Sequence, residues 1–183
     1  GTWVDATYPW DLLELAREVL ANGRIDPPES RDRVWVDASA SVHDAATIQS
    51  PAVIGPDCEV GPGAVIGPNV ALGRNVTVGA NATLARTVVD NDTRVGPGST
   101  LIDTVLGQAV TLGANTVVSD GPGDVRIGTE IVEDAPLGAL LADRVQAGGN
   151  VSFAPGTLVG PNARLATGVT VDGNVREGAE VRR

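Results

Sequence analysis

The stretch VIGPDCEVGPGAVIGPNVALGRNVTVG, residues 53–79, repeats one chemical pattern every six residues. An aliphatic residue is followed by Gly and then, four positions after the aliphatic residue, by a small apolar residue. The same step continues on both sides, shortened by one residue before Val89 and again before Leu106. The aliphatic positions include Val36, Val42, Ile48, Ile54, Val60, Ile66, Leu72, Val78, Leu84, Val89, Val95, Leu101, Leu106, Leu112, Val118, Leu141, Ala147, Phe153, Val159, Leu165 and Val171.

A period of six fits neither the α-helix nor the two-residue alternation of a half-buried strand. It is typical of a parallel β-helix, in which each hexapeptide forms one short strand and one corner. Three hexapeptides complete a coil of about 18 residues, and about seven to eight coils stacked at ~4.8 Å predict a prism roughly 35–40 Å long. The aliphatic residues then face inward, and small residues such as Cys58 fill the space beside each corner. Cys58 is therefore expected to be a buried, unreactive thiol.

The composition excludes several classes of function. The chain has 183 residues, a net charge of −10, and 13 Lys and Arg residues that are all Arg. A binder of nucleic acid or of an anionic membrane surface needs a basic face, and no apolar run reaches the ~20 residues of a spanning helix. No secretory signal opens the chain, so we expect a cytoplasmic protein without a nucleic-acid or membrane partner.

Acidic excess without lysine also favours adaptation to high salt, as in a halophilic archaeon, because a surface rich in carboxylates stays hydrated. A GC-rich genome that prefers Arg codons is the alternative. The chain begins with Gly1 and contains no Met, so we expect it to be part of a longer or processed protein.

The first 35 residues lack the repeat. The segment TYPWDLLELAREVLANG, residues 7–23, predicts one helix, in which Thr7 caps the start, Pro9 occupies the first turn and Gly23 ends it. Its apolar face is predicted from the spacing of five residues, Leu12, Leu13, Ala16, Val19 and Leu20. A polar linker, residues 24–33, follows.

Two segments resemble known families. Residues 53–79 resemble the β-helix of hexapeptide-repeat acyltransferases, and that resemblance implies a left-handed coil. The segment WVDATYPWDLLELAREVLAN, residues 3–22, resembles the junction in sugar-1-phosphate nucleotidylyltransferases, including the bifunctional N-acetyltransferase-uridylyltransferases that act on glucosamine-1-phosphate. The resemblance implies that residues 1–35 are a linker helix segment from an absent nucleotidylyltransferase domain. It further implies that residues 36–183 form the β-helix, an all-β solenoid. The Gly-rich phosphate loop of the nucleotidylyltransferases does not occur in this chain.

The repeat is interrupted at 119–140 by SDGPGDVRIGTEIVEDAPLGAL. Insertions in solenoids protrude on one face and often line a site. In the family this region builds the pocket for acceptor and coenzyme. A disordered loop and a pocket wall both remain open here, because Gly121, Pro122 and Gly123 suit a loop.

Acetyl transfer to an amino sugar needs a base, since only the neutral amine attacks the thioester. The family carries a His in the motif Pro-His-Leu-x-Tyr-x-Gly-Asp, and PGSTLIDTVLG, residues 97–107, is the matching stretch. Asp103, Leu106 and Gly107 agree with the family, but the position of the base is Pro97. The family's Arg-Arg-Lys run corresponds to residues 134–136, Asp-Ala-Pro, which provide no cation.

By resemblance, Ala114, Gly149 and Thr167 are the candidate contacts for acetyl-coenzyme A, although all three also suit small corner positions. His43 is the only histidine in the sequence and is a weak catalytic candidate, because it lies in an early coil. One imidazole per chain also argues against a three-histidine metal site, so no metal ligand is predicted.

Two functions follow as alternatives. The first is a β-helix that lacks the catalytic base and acts in trimerisation or regulation of an attached sugar-phosphate nucleotidylyltransferase. The second is an active acetyl-coenzyme A-dependent N-acetyltransferase on glucosamine-1-phosphate or a related amino sugar phosphate. In both, the resemblance implies a homotrimer through the β-helix faces.

Overall fold

The computed structural model describes residues 7–22, 25 and 29–183. The predicted helix stop at Gly23, and part of the 24–33 linker, lie outside these residues. Helix α1 spans Asp11–Asn22 and so begins four residues after Thr7. The Asp11 carboxylate accepts a hydrogen bond from the Tyr8 backbone N–H at 2.7 Å, and the Asp11 N–H donates to the Tyr8 carbonyl at 3.0 Å, so a turn that starts at Tyr8 leads into the helix.

From Val34 onward, the described chain winds as a solenoid with three parallel sheets, one on each side of the prism. Sheet A contains β2 Val34–Val36, β5 Ala52–Ile54, β8 Val70–Leu72, β11 Thr87–Val89, β14 Thr104–Leu106, β19 Ala139–Leu141, β22 Thr157–Val159 and β25 Asn174–Val175, with β1 Glu29–Arg31 antiparallel to β2. Sheet B contains β3 Ser41–Val42, β6 Glu59–Val60, β9 Thr77–Val78, β12 Arg94–Val95, β15 Thr111–Leu112, β20 Gln146–Ala147, β23 Arg164–Leu165 and β26 Glu180–Val181. Sheet C contains β4 Thr47–Ile48, β7 Val65–Ile66, β10 Thr83–Ala85, β13 Thr100–Ile102, β16 Val117–Val118, β21 Ser152–Phe153 and β24 Thr170–Val171.

The strand register explains the two shortened steps in the repeat. Val34 pairs with Ala52, which is 18 residues later, whereas Val70 pairs with Thr87, which is 17 residues later. The missing residue is absorbed at the corner between sheets C and A, where Arg86 and Asp103 adopt positive φ angles of 45° and 50°. Two consecutive coils are therefore tighter at this one corner.

The core is the predicted ladder of aliphatic residues. Every predicted inward position from Ile54 to Val171 belongs to one continuous buried cluster, and Cys58 is fully buried as predicted. In the first coil Val36, Val42 and Ile48 are only partly buried, because they form the open end of the prism. Phe153 is the one aromatic side chain in this cluster of described residues.

Several inward corner positions carry hydroxyl groups in the shortened coils. Thr87, Thr93 and Thr104 are fully buried, and each hydroxyl donates to a backbone carbonyl. The Thr93 hydroxyl, for example, donates to the Gly107 carbonyl of the next coil at 2.9 Å. Burial of these polar atoms is thus compensated by hydrogen bonds.

Sheet A is apolar on its outer surface as well. The outward residues of strands β2 to β22 are Trp35, Val53, Ala71, Val88, Val105, Leu140 and Leu158, and the last strand, β25, ends this column with the polar Asn174. Helix α1 packs over β11 and β14 and buries Leu20. Of the predicted apolar face, Leu12, Ala16, Val19 and Leu20 line one apolar groove against Val53, Ala71 and Val88 of sheet A, although Leu12 and Val19 are each 43% exposed.

Candidate functional site

The insertion is an ordered antiparallel hairpin, and this decides between the two alternatives that the sequence left open. Strands β17 Gly123–Ile127 and β18 Glu130–Ala135 pair with each other, so the disordered-loop interpretation is wrong. The hairpin leaves the solenoid after β16 and rejoins it at β19. Its neck therefore emerges at the corner between sheets C and A.

The hairpin packs on the N-terminal segment. Trp10 is 3% exposed and belongs to one apolar cluster with Val125, Ala135 and Leu137. The Trp10 ring stacks on Tyr8 with 4.7 Å between the ring centroids. Helix α1 and the insertion, which are about 110 residues apart in the chain, thus form a single layer over sheet A.

A cleft of about 370 Å³ lies where this layer meets the solenoid corner. Its polar side chains form two ion pairs, one between Arg86 and Asp103 and the other between Arg17 and Glu14. The lining consists of Trp10, Asp11, Leu13, Glu14, Arg17, Asn69, Arg86, Asp103, Gly121, Pro122 and Pro136.

Asp103 connects three parts of this cleft. Its carboxylate accepts hydrogen bonds from Arg86 Nε at 2.6 Å and from the Gly121 backbone N–H at 3.1 Å. Its backbone carbonyl accepts the Gly138 N–H at 2.8 Å. Asp103 therefore ties the neck of the insertion to two successive coils, which is a structural role for a residue that matches the acetyltransferase motif.

The electrostatics of the cleft disfavour a phosphate group. Hydrogen bonding to Asp103 raises the pKa of Arg86, and hydrogen bonding to Arg17 lowers the pKa of Glu14. The lining then holds two cations against three carboxylates, those of Asp11, Glu14 and Asp103. An acceptor or coenzyme that carries phosphate would meet a net negative surface.

The three candidate coenzyme residues lie in one column at the corner between sheets B and C. The Asn150 N–H donates to the Ala114 carbonyl at 2.8 Å, and the Gly168 N–H donates to the Gly149 carbonyl at 2.9 Å. A Cβ atom on Gly148 would lie 2.9 Å from the Thr167 backbone nitrogen. Ala114, Gly149 and Thr167 therefore occupy the same place in successive coils.

Pro97 lies in this same column, one coil before Ala114, because its carbonyl accepts the Asn115 N–H at 2.9 Å. The position that the acetyltransferase resemblance assigns to the base is thus next to the candidate coenzyme contacts. Asp103 lies at the opposite edge of sheet C. The cleft and the column are consequently two separate places on the solenoid.

His43 lies far from Pro97. Its exposed ring accepts the Ala45 N–H at Nδ1 over 3.0 Å, and backbone bonds place its coil three coils before that of Pro97. His43 and Pro97 are therefore separated along the solenoid axis by three strand spacings, which correspond to about 14 Å. Among the residues that the structure describes, no three His, Cys, Asp or Glu side chains are grouped to hold a metal ion.

The residues at positions 134–136 lie at the end of the hairpin. Ala135 is buried in the apolar cluster, and Pro136 lines the cleft. The Asp134 N–H donates to the Asp124 carboxylate at 3.1 Å, which joins the two strands. These residues shape the hairpin and contribute no cation to the cleft.

Sequence reasoning missed two features of the site, namely the packing of Trp10 on the hairpin and the ion pair of Arg86. The signal for the first was present, because the outward positions of sheet A are apolar at the same period as the inward ones. A surface that is apolar on both sides of a sheet requires a covering layer.

Within the described residues, the structure contains no helix with the length and apolarity that crossing a bilayer requires.

Comparison with known proteins places the chain among β-helix domains. It is 36% identical over 194 residues to the bifunctional protein GlmU of Methanococcus maripaludis strain C7, covering 99% of this chain and 47% of that protein. It is 30% identical over 190 residues to GlmU of Methanococcus maripaludis strain S2, covering 97% of this chain and 46% of that protein. The chain therefore spans about half the length of these curated relatives.

Among solved structures, LpxA from Acinetobacter baumannii is similar, with a TM-score of 0.50 and 18% identity over 80% of this chain and 66% of that chain. Similarity at this level shows the fold. The predicted fold class, a left-handed parallel β-helix of hexapeptide repeats with a short N-terminal helix, is confirmed. Residues 48–153 match the family described as the GMPPB C-terminal domain, which is more than half of the chain. The chain therefore belongs to the GMPPB C-terminal domain family.

Proposed function

We propose that this chain is the C-terminal β-helix domain of a cytoplasmic sugar-phosphate nucleotidyltransferase of nucleotide-sugar synthesis. In this proposal the domain assembles the enzyme as a homotrimer and transfers no acetyl group. Support comes from the two GlmU relatives, whose further length leaves room for a linked domain, and from the family match.

The observation that carries the loss of acetyl transfer is the residue at position 97. In the reaction, the amine nitrogen forms a bond to the acetyl carbonyl carbon while the thioester C–S bond breaks. The amine must first lose a proton to a base. Pro97 has no side-chain group that accepts a proton, and the column around it is built from Ala114, Gly149 and Thr167, which do not titrate.

The acceptor side supports the same proposal. Residues 134–136 supply an Asp, an Ala and a Pro where the resemblance implies three cations, and the nearby cleft holds more carboxylates than guanidinium groups. A sugar phosphate is recognised by Arg and Lys through charge-assisted hydrogen bonds. The described cleft does not provide an unpaired guanidinium group for this contact.

One observation favours the alternative, an active acetyltransferase. The pantetheine chain of the coenzyme could lie along the column of Ala114, Gly149 and Thr167. Beside this column, on sheet B, Gly148 and Arg164 border an open depression of about 470 Å³. If acetyl-coenzyme A binds, Ala114, Gly149 and Thr167 would hold its arm, and Arg164 would meet its phosphates. The coenzyme would supply the activated acetyl group.

The test is a thiol-release assay on the 183-residue chain, with acetyl-coenzyme A and glucosamine-1-phosphate, in low salt and in molar KCl. We expect no release above the enzyme-free rate at either salt concentration. Release that saturates with glucosamine-1-phosphate would overturn the proposal. The variant Ala114→Arg is the matched control, because it blocks the column and must abolish any true turnover but leaves a contaminating activity unchanged.

A further inference from the structure

The cleft between the layer and the solenoid is bordered by three separate parts of the chain. Trp10 comes from the turn before α1, Asn69 and Arg86 come from the corner between sheets C and A, and Pro122 comes from the start of the insertion. The volume of about 370 Å³ lies in the range of small-molecule sites. A molecule that fills the cleft therefore contacts the N-terminal segment, the solenoid and the insertion at once.

The indole N–H of Trp10 has no acceptor among the described residues. Trp10 is almost fully buried, at 3% exposure, and within the described chain its side-chain nitrogen donates no hydrogen bond. Among the same residues, no unpartnered side-chain nitrogen or oxygen is sealed from solvent. The indole nitrogen therefore keeps access to the outside, and the cleft is the open space that Trp10 borders. A buried tryptophan usually pairs this donor, so a molecule in the cleft can supply the missing acceptor.

Two other side chains of the lining have hydrogen-bonding capacity to spare. Arg86 binds Asp103 through Nε and Nη2, and Nη1 meets no acceptor in the part of the chain that the structure describes. The side-chain amide of Asn69 has no hydrogen-bond partner there either, although its backbone is bonded to both neighbouring coils. A guanidinium nitrogen only donates, whereas an amide both donates and accepts. The cleft thus offers donors and acceptors together.

The charges of the lining limit what the cleft can hold. Each guanidinium group is paired with a carboxylate, Arg86 with Asp103 and Arg17 with Glu14, and the Asp11 carboxylate is additional. A phosphate or carboxylate on the ligand would meet this excess of negative charge. An uncharged ligand whose own groups both donate and accept meets no such penalty. Hydroxyl groups have this property.

The other walls of the cleft are apolar. Leu13, Pro122 and Pro136 provide carbon surface. A saccharide ring meets both requirements, because its C–H groups pack on carbon surface while its hydroxyl groups form hydrogen bonds. A nucleotide carries phosphate and a lipid carries few hydroxyl groups, so neither matches both parts of the lining.

We infer that the cleft binds an uncharged saccharide. One sugar hydroxyl accepts the indole N–H of Trp10, and others bond to the amide of Asn69 and to Nη1 of Arg86. The bound sugar clamps the turn before α1 to the solenoid corner and to the insertion. This inference goes beyond the proposed function and rests on it for one consequence only, namely that a linked nucleotidyltransferase domain senses the sugar through the clamped segment.

The test follows the indole N–H signals of the isotope-labelled 183-residue chain in proton–nitrogen NMR spectra. The Trp10 signal is assigned as the one that is absent from Trp10→Phe. D-glucose, D-mannose and N-acetyl-D-glucosamine are titrated as uncharged probes. Glycerol is the control for hydroxyl groups alone, and glucose-1-phosphate is the charged counterpart of glucose.

Two glycine substitutions at matched corners locate the contact. Asn69 and Asn81 have almost the same left-handed backbone, with φ angles of 59° and 58°, so glycine preserves both corners. Asn69→Gly removes an amide from the cleft, whereas Asn81→Gly removes an exposed amide at the corner between sheets B and C. Circular dichroism and the unfolding temperature establish that both variants are folded.

We expect a saturable shift of the Trp10 signal with at least one of the three sugars. The affinity is expected to be about tenfold lower in Asn69→Gly, because one hydrogen-bonding group is lost, and unchanged in Asn81→Gly. The inference would be overturned if none of the three sugars shifts the signal, if glycerol shifts it equally, or if glucose-1-phosphate binds more tightly than glucose. An affinity that stays the same in folded Asn69→Gly, or that falls equally in both variants, would overturn it as well.

The clamp has a readout of its own. A saturating sugar is expected to slow tryptic cleavage after the exposed Arg126 at least about threefold, because a ligand that bridges the layer and the solenoid stabilises the closed layer. Binding that leaves this rate unchanged would overturn the clamp. None of these measurements involves acetyl transfer or oligomeric mass, so a failure here is distinguishable from a failure of the proposed function.

Discussion

At the scale of single residues, Asp103 shows how one carboxylate holds an insertion in place. It is 15% exposed at the side chain and binds Arg86 and the Gly121 N–H at once. The Arg17–Glu14 pair in the same cleft has comparable geometry, but both of its side chains are about half exposed. Asp103 holds the insertion in place because its carboxylate is largely buried and also binds the Gly121 N–H; the ion pair alone would contribute little.

This contrast predicts different costs for two alanine substitutions. Asp103→Ala is expected to lower the free energy of unfolding by about 1–2 kcal/mol, because the Gly121 N–H and Arg86 both lose their acceptor. Glu14→Ala is expected to cost less than about 0.5 kcal/mol, because water screens the exposed pair. Urea denaturation followed by circular dichroism measures both. Equal costs would contradict the role assigned to Asp103.

Cys58 provides a second prediction at this scale. Burial raises the pKa of its thiol, and the sulfur lies 3.0 Å from the Gly73 carbonyl to which it donates. The fraction of thiolate at pH 8 is then lower than for a free cysteine, and access is blocked. We expect an aromatic disulfide reagent to find no reactive thiol in the folded chain and one per chain in concentrated urea. Rapid reaction of the folded chain would contradict the inward position.

At the scale of elements, the layer of α1 and the hairpin is the feature that distinguishes this solenoid from a bare prism. It exists because the outer column of sheet A is apolar and needs a cover, which is supplied by Trp10 in the turn before α1, by Leu20 of α1 and by Val125 of the hairpin. The layer depends on contacts between segments that are remote in sequence. The solenoid depends on contacts between neighbouring coils, so the two parts should respond separately to mutation.

Trp10→Ala is expected to loosen the hairpin without melting the solenoid. Loss of a buried tryptophan costs roughly 3 kcal/mol, and local opening should expose the backbone at Arg126, whose side chain is already exposed. We expect tryptic cleavage at Arg126 to accelerate at least about tenfold. The main thermal transition should shift little, with Leu84→Ala as the control that lowers it. Unchanged cleavage by Trp10→Ala would contradict the packing.

The inward ladder could be predicted from the sequence because each hexapeptide repeats a local rule, and Val60 or Leu112 obeys it without knowledge of the rest. The start of α1 could not be predicted from the sequence, since it depends on which of two side chains, Thr7 or Asp11, caps the first turn. The apolar outer column of sheet A indicated that a covering layer was needed, but the sequence did not show that Trp10 and the hairpin form it, because their contact is long-range and lies outside the repeat. Ala114, Gly149 and Thr167 lie in one column of corner residues, and their role as coenzyme contacts stays a prediction.

At the scale of the whole molecule, the net negative charge makes stability and association depend on the salt concentration. Thirteen arginines against 23 acidic residues leave a strong mutual repulsion on a narrow prism. Salt screens exposed charges, with a Debye length of about 10 Å at 0.1 M and about 3 Å at 1 M. The whole chain is therefore expected to be more stable and to associate more readily as the salt concentration rises.

The predicted result is an unfolding temperature higher by roughly 4 °C or more in molar KCl than in dilute buffer, which corresponds to about 1–2 kcal/mol for a chain of this size. Differential scanning calorimetry over a series of KCl concentrations measures the shift. A shift that saturates with increasing salt indicates screening. A temperature that stays constant or falls would contradict the contribution assigned to repulsion.

The central role proposed for this domain is the assembly of its enzyme. Sedimentation equilibrium of the wild-type 183-residue chain in molar KCl tests that claim directly, because it reports mass without assuming shape. We expect a mass of three times the 18.6 kDa of one chain. A mass of one chain at every concentration would contradict it.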